Sequence, residues 1–463
     1  MNEKSIIRIE TYKKLLLLKK QYYGLPHKDF LCDGAEYVWQ LQVRIIDKII
    51  ERFKNYSHKQ LQLIHTIFPF FEKICGYLDD SKTKNVPWSI IPSLEDLFSK
   101  IRPKTKFVIC PLWETNYQIV NRNIIEYLDE TVINVPGLLF DATENFEKER
   151  HDFLKGFPSG IYFVFYPRTE RLSVLHFPLL GHEIGHIYSI IWLNQFFGEY
   201  LEESNIENIL KKEIRAGMPE SAFSEPLFLD RFIEEQVLHT FEIYRRIIAE
   251  TISDLVGTFI FGPSTLFSSY IFALKFGLDD FRGFSDGYLP WRFRLSFICR
   301  ALDFMDIENL PSRHQKANAW ISEIYKTANI NFDTFDYKKP YRSCKHIIDL
   351  IVKNFDSISK NIEKFIGDQS YKYSYNERHQ KAVVERLKNG IIPNCLIDQD
   401  LIETPIGLRN IVAGTWIFLC EFELDDYKNY FTESINANLL SLKAIELSHF
   451  QNDFNRNPLN YDN

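Results

Sequence analysis

Between Leu255 and Leu274 the chain reads LVGTFIFGPSTLFSSYIFAL, with no charged residue, and this stretch restricts the fold more than any other. A run of that kind must leave water, and two environments can receive it. One is a bilayer, which a helix of roughly 20 apolar residues can span. The other is the interior of a protein large enough to surround it. Gly262-Pro263 breaks the run near its middle, and Gly, Ser and Thr dilute its apolarity. Two shorter helices meeting at Gly-Pro and buried in a protein core satisfy the sequence without the special arrangements that an intramembrane break requires. A chain of 463 residues can supply such a core, and its length predicts two or three domains.

Nineteen glycines and nineteen prolines fall below their usual combined share of roughly 12%. With long stretches of helical periodicity, this predicts a mainly α protein with a small β-sheet, an α+β fold. A net charge of −7 without a Lys/Arg stripe excludes an electrostatic case for nucleic acid. The seven cysteines form no CxxC pair, which suits reduced thiols in a cytoplasmic protein. The N-terminal MNEKSIIRIETYKKLLLLKK holds only four consecutive leucines between lysine pairs, too short an apolar run for a secretory signal.

Three regions follow from the pattern. Residues 1–95 read as a helical N-terminal region, with AEYVWQLQVRIIDKIIERF repeating apolar residues at helical spacing. Residues 96–300 mix strands with helices. KFVICPL (106–112) and GIYFVFYP (160–167) are β-branched and aromatic, and RLSVLHF after RTE predicts a hairpin over 160–177. Residues 301–463 return to helical stretches.

The chemistry sits in LLGHEIGHIYSI, residues 179–190. On a helix, positions i and i+4 share a face, so His182 and His186 can reach one metal ion. Glu183 lies about 100° round the helix from His182, near the position a catalytic metal keeps open. Two solvent-edge histidines on an amphipathic helix would give the same pattern. A catalytic metal needs a third protein ligand, and RRIIAETISDLVGTF offers Glu250 with Asp254 one turn later. Both acids stand in an apolar helix, where an unpaired carboxylate is costly. Metal ligation by Glu250, with Asp254 accepting a ligand histidine's free N–H, meets both costs; salt bridges to Arg245 or Arg246 are the alternative.

HEIGH together with AETISDLVG resembles the gluzincin zinc metallopeptidases, of which thermolysin is the familiar member. The resemblance implies a zincin-like core at 96–300, with His182, His186 and Glu250 as Zn2+ ligands. It implies Glu183 as general base and Asp254 as an acceptor orienting His182. A protein or peptide substrate follows, cleaved by metal-assisted hydrolysis. In such peptidases an edge strand pairs with the substrate backbone, and GIYFVFYP or RLSVLHF is the expected source. The segment between the motifs, residues 187–249, is longer than in the thermolysin type and is read as a lid or partner surface.

An oxyanion donor is also needed. SDGYLPWRFRL supplies Tyr288, Arg292 and Arg294 in a Gly/Pro-punctuated loop, and Tyr288 is the first choice because a tyrosine commonly fills this role in the family. His239 is the alternative, although about 16 Å along the helix axis from Glu250 is too far for direct ligation. Two rival readings remain. GFSDG (283–287) matches G-x-S-x-G with Ser285 as nucleophile, but lacks the preceding hydrophobic strand. A zinc-binding helical regulatory or interaction protein without turnover is the other.

Overall fold

Helices account for most of the described residues, with two small sheets among them, so the α+β expectation holds. The computed structural model describes residues 3–98, 105–113, 117–119, 124–135, 137–141, 143–158, 160–218, 226–279, 287–307, 314–328, 330, 332, 342–397, 403–422 and 427–456. Contacts divide the chain into two units, Met1–Leu172 and Ser173–Asn463. That division falls inside the 96–300 region which the sequence suggested as one core.

The first unit opens with helices α1 (Glu3–Gly24), α2 (Asp33–Arg52), α3 (His58–Asp80) and α4 (Ile90–Phe98). The leucine run resolves by helical period: Leu15 and Leu18 are buried, while Leu16 and Leu17 are exposed. Strand β1 (Lys106–Leu112), strand β2 (Gln118–Ile119), helices α5 (Ile124–Leu128) and α6 (Phe146–Leu154), and strand β3 (Ile161–Pro167) complete the unit. The sheet order is β1-β3-β2. β3 pairs in parallel with β1 along its length, and antiparallel with β2 at Val164 and Phe165. All seven residues of β3 are buried, as a central strand requires.

The expected hairpin is not formed. After β3 the chain makes two 3-10 turns, Arg168–Glu170 and Val174–His176, and RLSVLHF is not a strand. Val174, Leu175 and His176 are buried in succession instead of alternating. Their backbone groups are satisfied by distant side chains. Asn438 Oδ1 accepts from the Val174 N–H at 2.8 Å, and Trp416 Nε1 donates to the Leu175 carbonyl at 3.1 Å. GIYFVFYP is thus the central strand of its sheet, and neither segment supplies the edge strand expected for a substrate.

The second unit contains α7 (Phe177–Ser204), α8 (Ile206–Ala216), α9 (Pro226–Phe261), α10 (Pro263–Phe276) and α11 (Trp291–Phe304). Beyond them lie α12 (Gln315–Ala328), α13 (Arg342–Ile366), α14 (Tyr371–Ser374) and α15 (Glu377–Lys388). A two-stranded ribbon, β4 (Cys395–Ile397) with β5 (Glu403–Pro405), precedes α16 (Leu408–Cys420) and α17 (Tyr427–Arg456). That ribbon interrupts a region expected to be helical throughout.

The uncharged run takes the core solution. It is divided between α9 and α10, and Gly262 between them has φ +58°. A Cβ there would stand 2.4 Å from Tyr371 Cδ1, so both conformation and space require glycine. Hydroxyls that dilute the run find backbone acceptors, Thr258 donating along its own helix to Asp254 O at 2.7 Å and Thr265 of α10 donating across to Gly257 O of α9 at 2.8 Å. Among the described residues, no helix is long and apolar enough to cross a membrane.

Candidate metal centre

The site begins with glycine. Gly181 and Gly185 lie one turn apart on α7, and Ser253 and Gly257 lie one turn apart on α9. A Cβ on Gly185 would stand 2.5 Å from Ser253 Cα, and one on Gly257 would stand 3.1 Å from the His182 nitrogen. The two helices therefore cross almost backbone to backbone, antiparallel, because these positions carry little or no side chain. That crossing brings the face bearing His182 and His186 onto the face bearing Glu250 and Asp254.

His182, His186 and Glu250 converge, with one donor atom from each within 4.8 Å of the others. His182 Nε2 stands 3.5 Å from Glu250 Oε2, and His186 Nε2 stands 3.5 Å from Glu250 Oε1. Those separations exceed a normal hydrogen bond. They approach the roughly 3.3–3.4 Å between donors that share a tetrahedral zinc at about 2.0–2.1 Å. Glu183 is buried, with Oε1 4.0 Å from His182 Nε2.

Each imidazole disposes of its other nitrogen separately. His182 Nδ1 lies 2.8 Å from Asp254 Oδ1, the contact that the motif resemblance implies. His186 Nδ1 lies 3.1 Å from Ser253 Oγ. Asp254 is further gripped by Arg294, whose Nε reaches Oδ2 at 2.7 Å and whose Nη2 reaches Oδ1 at 2.8 Å. The same Nη2 lies 3.3 Å from Glu250 Oε2, and the guanidinium sits 4.2 Å from the centre of the Trp291 ring. Arg294, not Arg245 or Arg246, is thus the cation paired with these acids. Arg245 instead donates to Asn194 Oδ1 at 2.8 Å.

Electrostatics follow from burial and neighbours. Burial alone would depress His182, but the Asp254 carboxylate outweighs it and holds the imidazole above its ordinary value. Burial, reinforced by His182 and Arg294, pushes His186 down to about 3, keeping it neutral. Burial also raises Glu250 above the usual carboxylate value, against the pull of Arg294 and His182. For Asp254, Arg294 and His182 overcome burial and hold the carboxyl well below its ordinary range. Glu250 and Asp254 share the one Arg294 guanidinium, with Glu183 close to His182, so carboxylates outnumber fixed cations at the site. The residual charge matches a divalent cation, and a proton on His182 is what that cation would displace.

The remaining residues singled out by sequence fall elsewhere. Tyr288, 46% exposed, precedes α11 and lies within electrostatic reach of Arg294. Arg292 and Arg294 belong to helix α11 and not to a loop. Arg292 forks onto Asp279 with both contacts at 2.6 Å. His239 is exposed on α9 and outside the converging donors. Ser285 lies outside the described residues. The described part of 187–249 is helical, with Glu213 of α8 3.0 Å from His346 Nε2 of α13.

Ser253 carried no signal, since a serine in an apolar helix ordinarily bonds its own backbone. Arg294 carried the same signal that singled out Glu250 and Asp254, a charge among apolar residues on one helix. Comparison of the chain with protein-family models, curated proteins and solved structures gives no match, so the reading of this centre stands on its own geometry.

Proposed function

We propose that this protein is a zinc-dependent metallopeptidase that hydrolyses peptide bonds in a protein or peptide substrate. The observation that carries the reading is the convergence of His182 Nε2, His186 Nε2 and the Glu250 carboxylate at donor separations suited to one ion. Three protein donors leave a coordination position open, the arrangement of a catalytic site and not of a structural one. Zinc, when bound, supplies a Lewis acid that polarises a carbonyl and acidifies water.

The chain's own groups do the rest. Glu183 follows His182 directly and is buried with its Oε1 4.0 Å from His182 Nε2, and its carboxylate takes a proton from the attacking water. It then hands that proton to the leaving amine. Asp254, held by Arg294, accepts the His182 Nδ1–H and fixes that ring's orientation. Tyr288 is the proposed donor to the oxyanion, and its position before α11, within reach of Arg294's charge, supports that role. Seven free thiols suit a cytoplasmic, reducing setting.

Chelation tests the proposal. Hydrolysis of a mixed peptide library, read by mass spectrometry, should vanish after treatment with a zinc chelator and return on adding one equivalent of zinc. Hydrolysis that survives complete metal removal would refute it.

A further inference from the structure

Each imidazole that turns Nε2 toward Glu250 must place its Nδ1, and the two histidines do so differently. His182 meets a carboxylate, which can only accept. His186 meets the hydroxyl of Ser253 at 3.1 Å, and a hydroxyl can donate or accept. Its direction decides which nitrogen of His186 carries the proton.

The direction is set one turn away. Ser253 has a single hydroxyl proton, and Oγ stands 2.7 Å from the Ala249 carbonyl, four residues back on α9. That carbonyl only accepts, so the proton goes to it and Oγ offers His186 a lone pair. His186 must then protonate Nδ1 and leave Nε2 bare. We propose that Ser253 is a positioning residue that locks His186 in the tautomer whose Nε2 can bind metal. The assignment rests on the metal-centre reading above.

The packing makes this lock rigid. Ser253 is fully buried, and Gly185, the residue just before His186, lies against its Cα so closely that a Cβ would stand 2.5 Å away. The hydroxyl and the imidazole are therefore tied to the same point of the helix crossing. The choice of a neutral acceptor also matters for charge. A second aspartate at this position would add a fourth carboxylate to the cluster, whereas serine orients the ring and leaves the balance suited to a divalent ion.

The test reads the tautomer directly. In full-length, metal-free protein with 15N-labelled histidine, His186 should show a protonated Nδ1 and an unprotonated Nε2. Ser253→Ala should erase that preference and weaken zinc binding about 10–100-fold in competition with a chelator. Ser253→Thr keeps a hydroxyl able to donate to the Ala249 carbonyl and should restore both. A wild-type His186 protonated at Nε2 would overturn the proposal, as would a Ser253→Ala protein with unchanged tautomer and unchanged zinc affinity. If the wild type shows the expected tautomer but has no zinc affinity, the metal-centre reading fails, and with it the purpose given to Ser253. The two failures are thus told apart by the spectrum.

Discussion

Replacing Arg294 with methionine should destabilise the protein by about 3–5 kcal/mol, the usual cost of stranding a buried charge. The side chains of Arg294 and Asp254 are 7% and 4% exposed, so water cannot take over the lost partner. Both Asp254 oxygens are held by the guanidinium, and Glu250 Oε2 stands 3.3 Å from it. Methionine fills comparable volume, so most of the loss comes from the stranded carboxylates and little from a cavity. Arg294→Lys should recover only part of it, because an ammonium cannot make the two parallel contacts of the fork. Urea unfolding of the three proteins measures the effect. A methionine variant within about 1 kcal/mol of the wild type would match an exposed ion pair and contradict the buried network.

Glu183→Gln is expected to lower kcat by about 10²–10⁴-fold while the protein keeps its metal. Glutamine is nearly isosteric with glutamate and keeps one acceptor oxygen, but it cannot take a proton from water near neutral pH. Because Glu183 is not among the three converging donors, the ion should be retained at full occupancy. Zinc content and turnover must therefore separate in this variant, whereas they fall together when a ligand is removed. Ser285→Ala should leave turnover near that of the wild type. A dead Ser285→Ala beside an active Glu183→Gln would move the chemistry to the serine reading.

The donor set was legible because helical spacing fixes it locally. His182, Glu183 and His186 on one helix, and Glu250 and Asp254 on another, needed only the period of 3.6 and the cost of acids among apolar residues. The mainly α content and the break at Gly262-Pro263 were legible from equally local signals. What escaped was set by distant contacts. RLSVLHF has strand-like residues, yet its backbone bonds go to Asn438 and Trp416, far along the chain. Gly287 and Pro290 punctuate the segment before Arg294 and suggest a loop, while the helix that buries it begins at Trp291. Gly181 and Gly185 were visible, but the partners that make them necessary, Ser253 and Gly257, become partners only in the helix crossing.

A metal ion held by His182, His186 and Glu250 has a stoichiometry that can be measured. Purified protein, stripped and reloaded, should bind one zinc per chain by inductively coupled plasma mass spectrometry after desalting. His182→Ala, His186→Ala and Glu250→Ala should each lose it while circular dichroism shows the helical fold intact. Stoichiometric zinc retained in all three folded variants would mean that other residues hold the ion and that this centre is not the metal site.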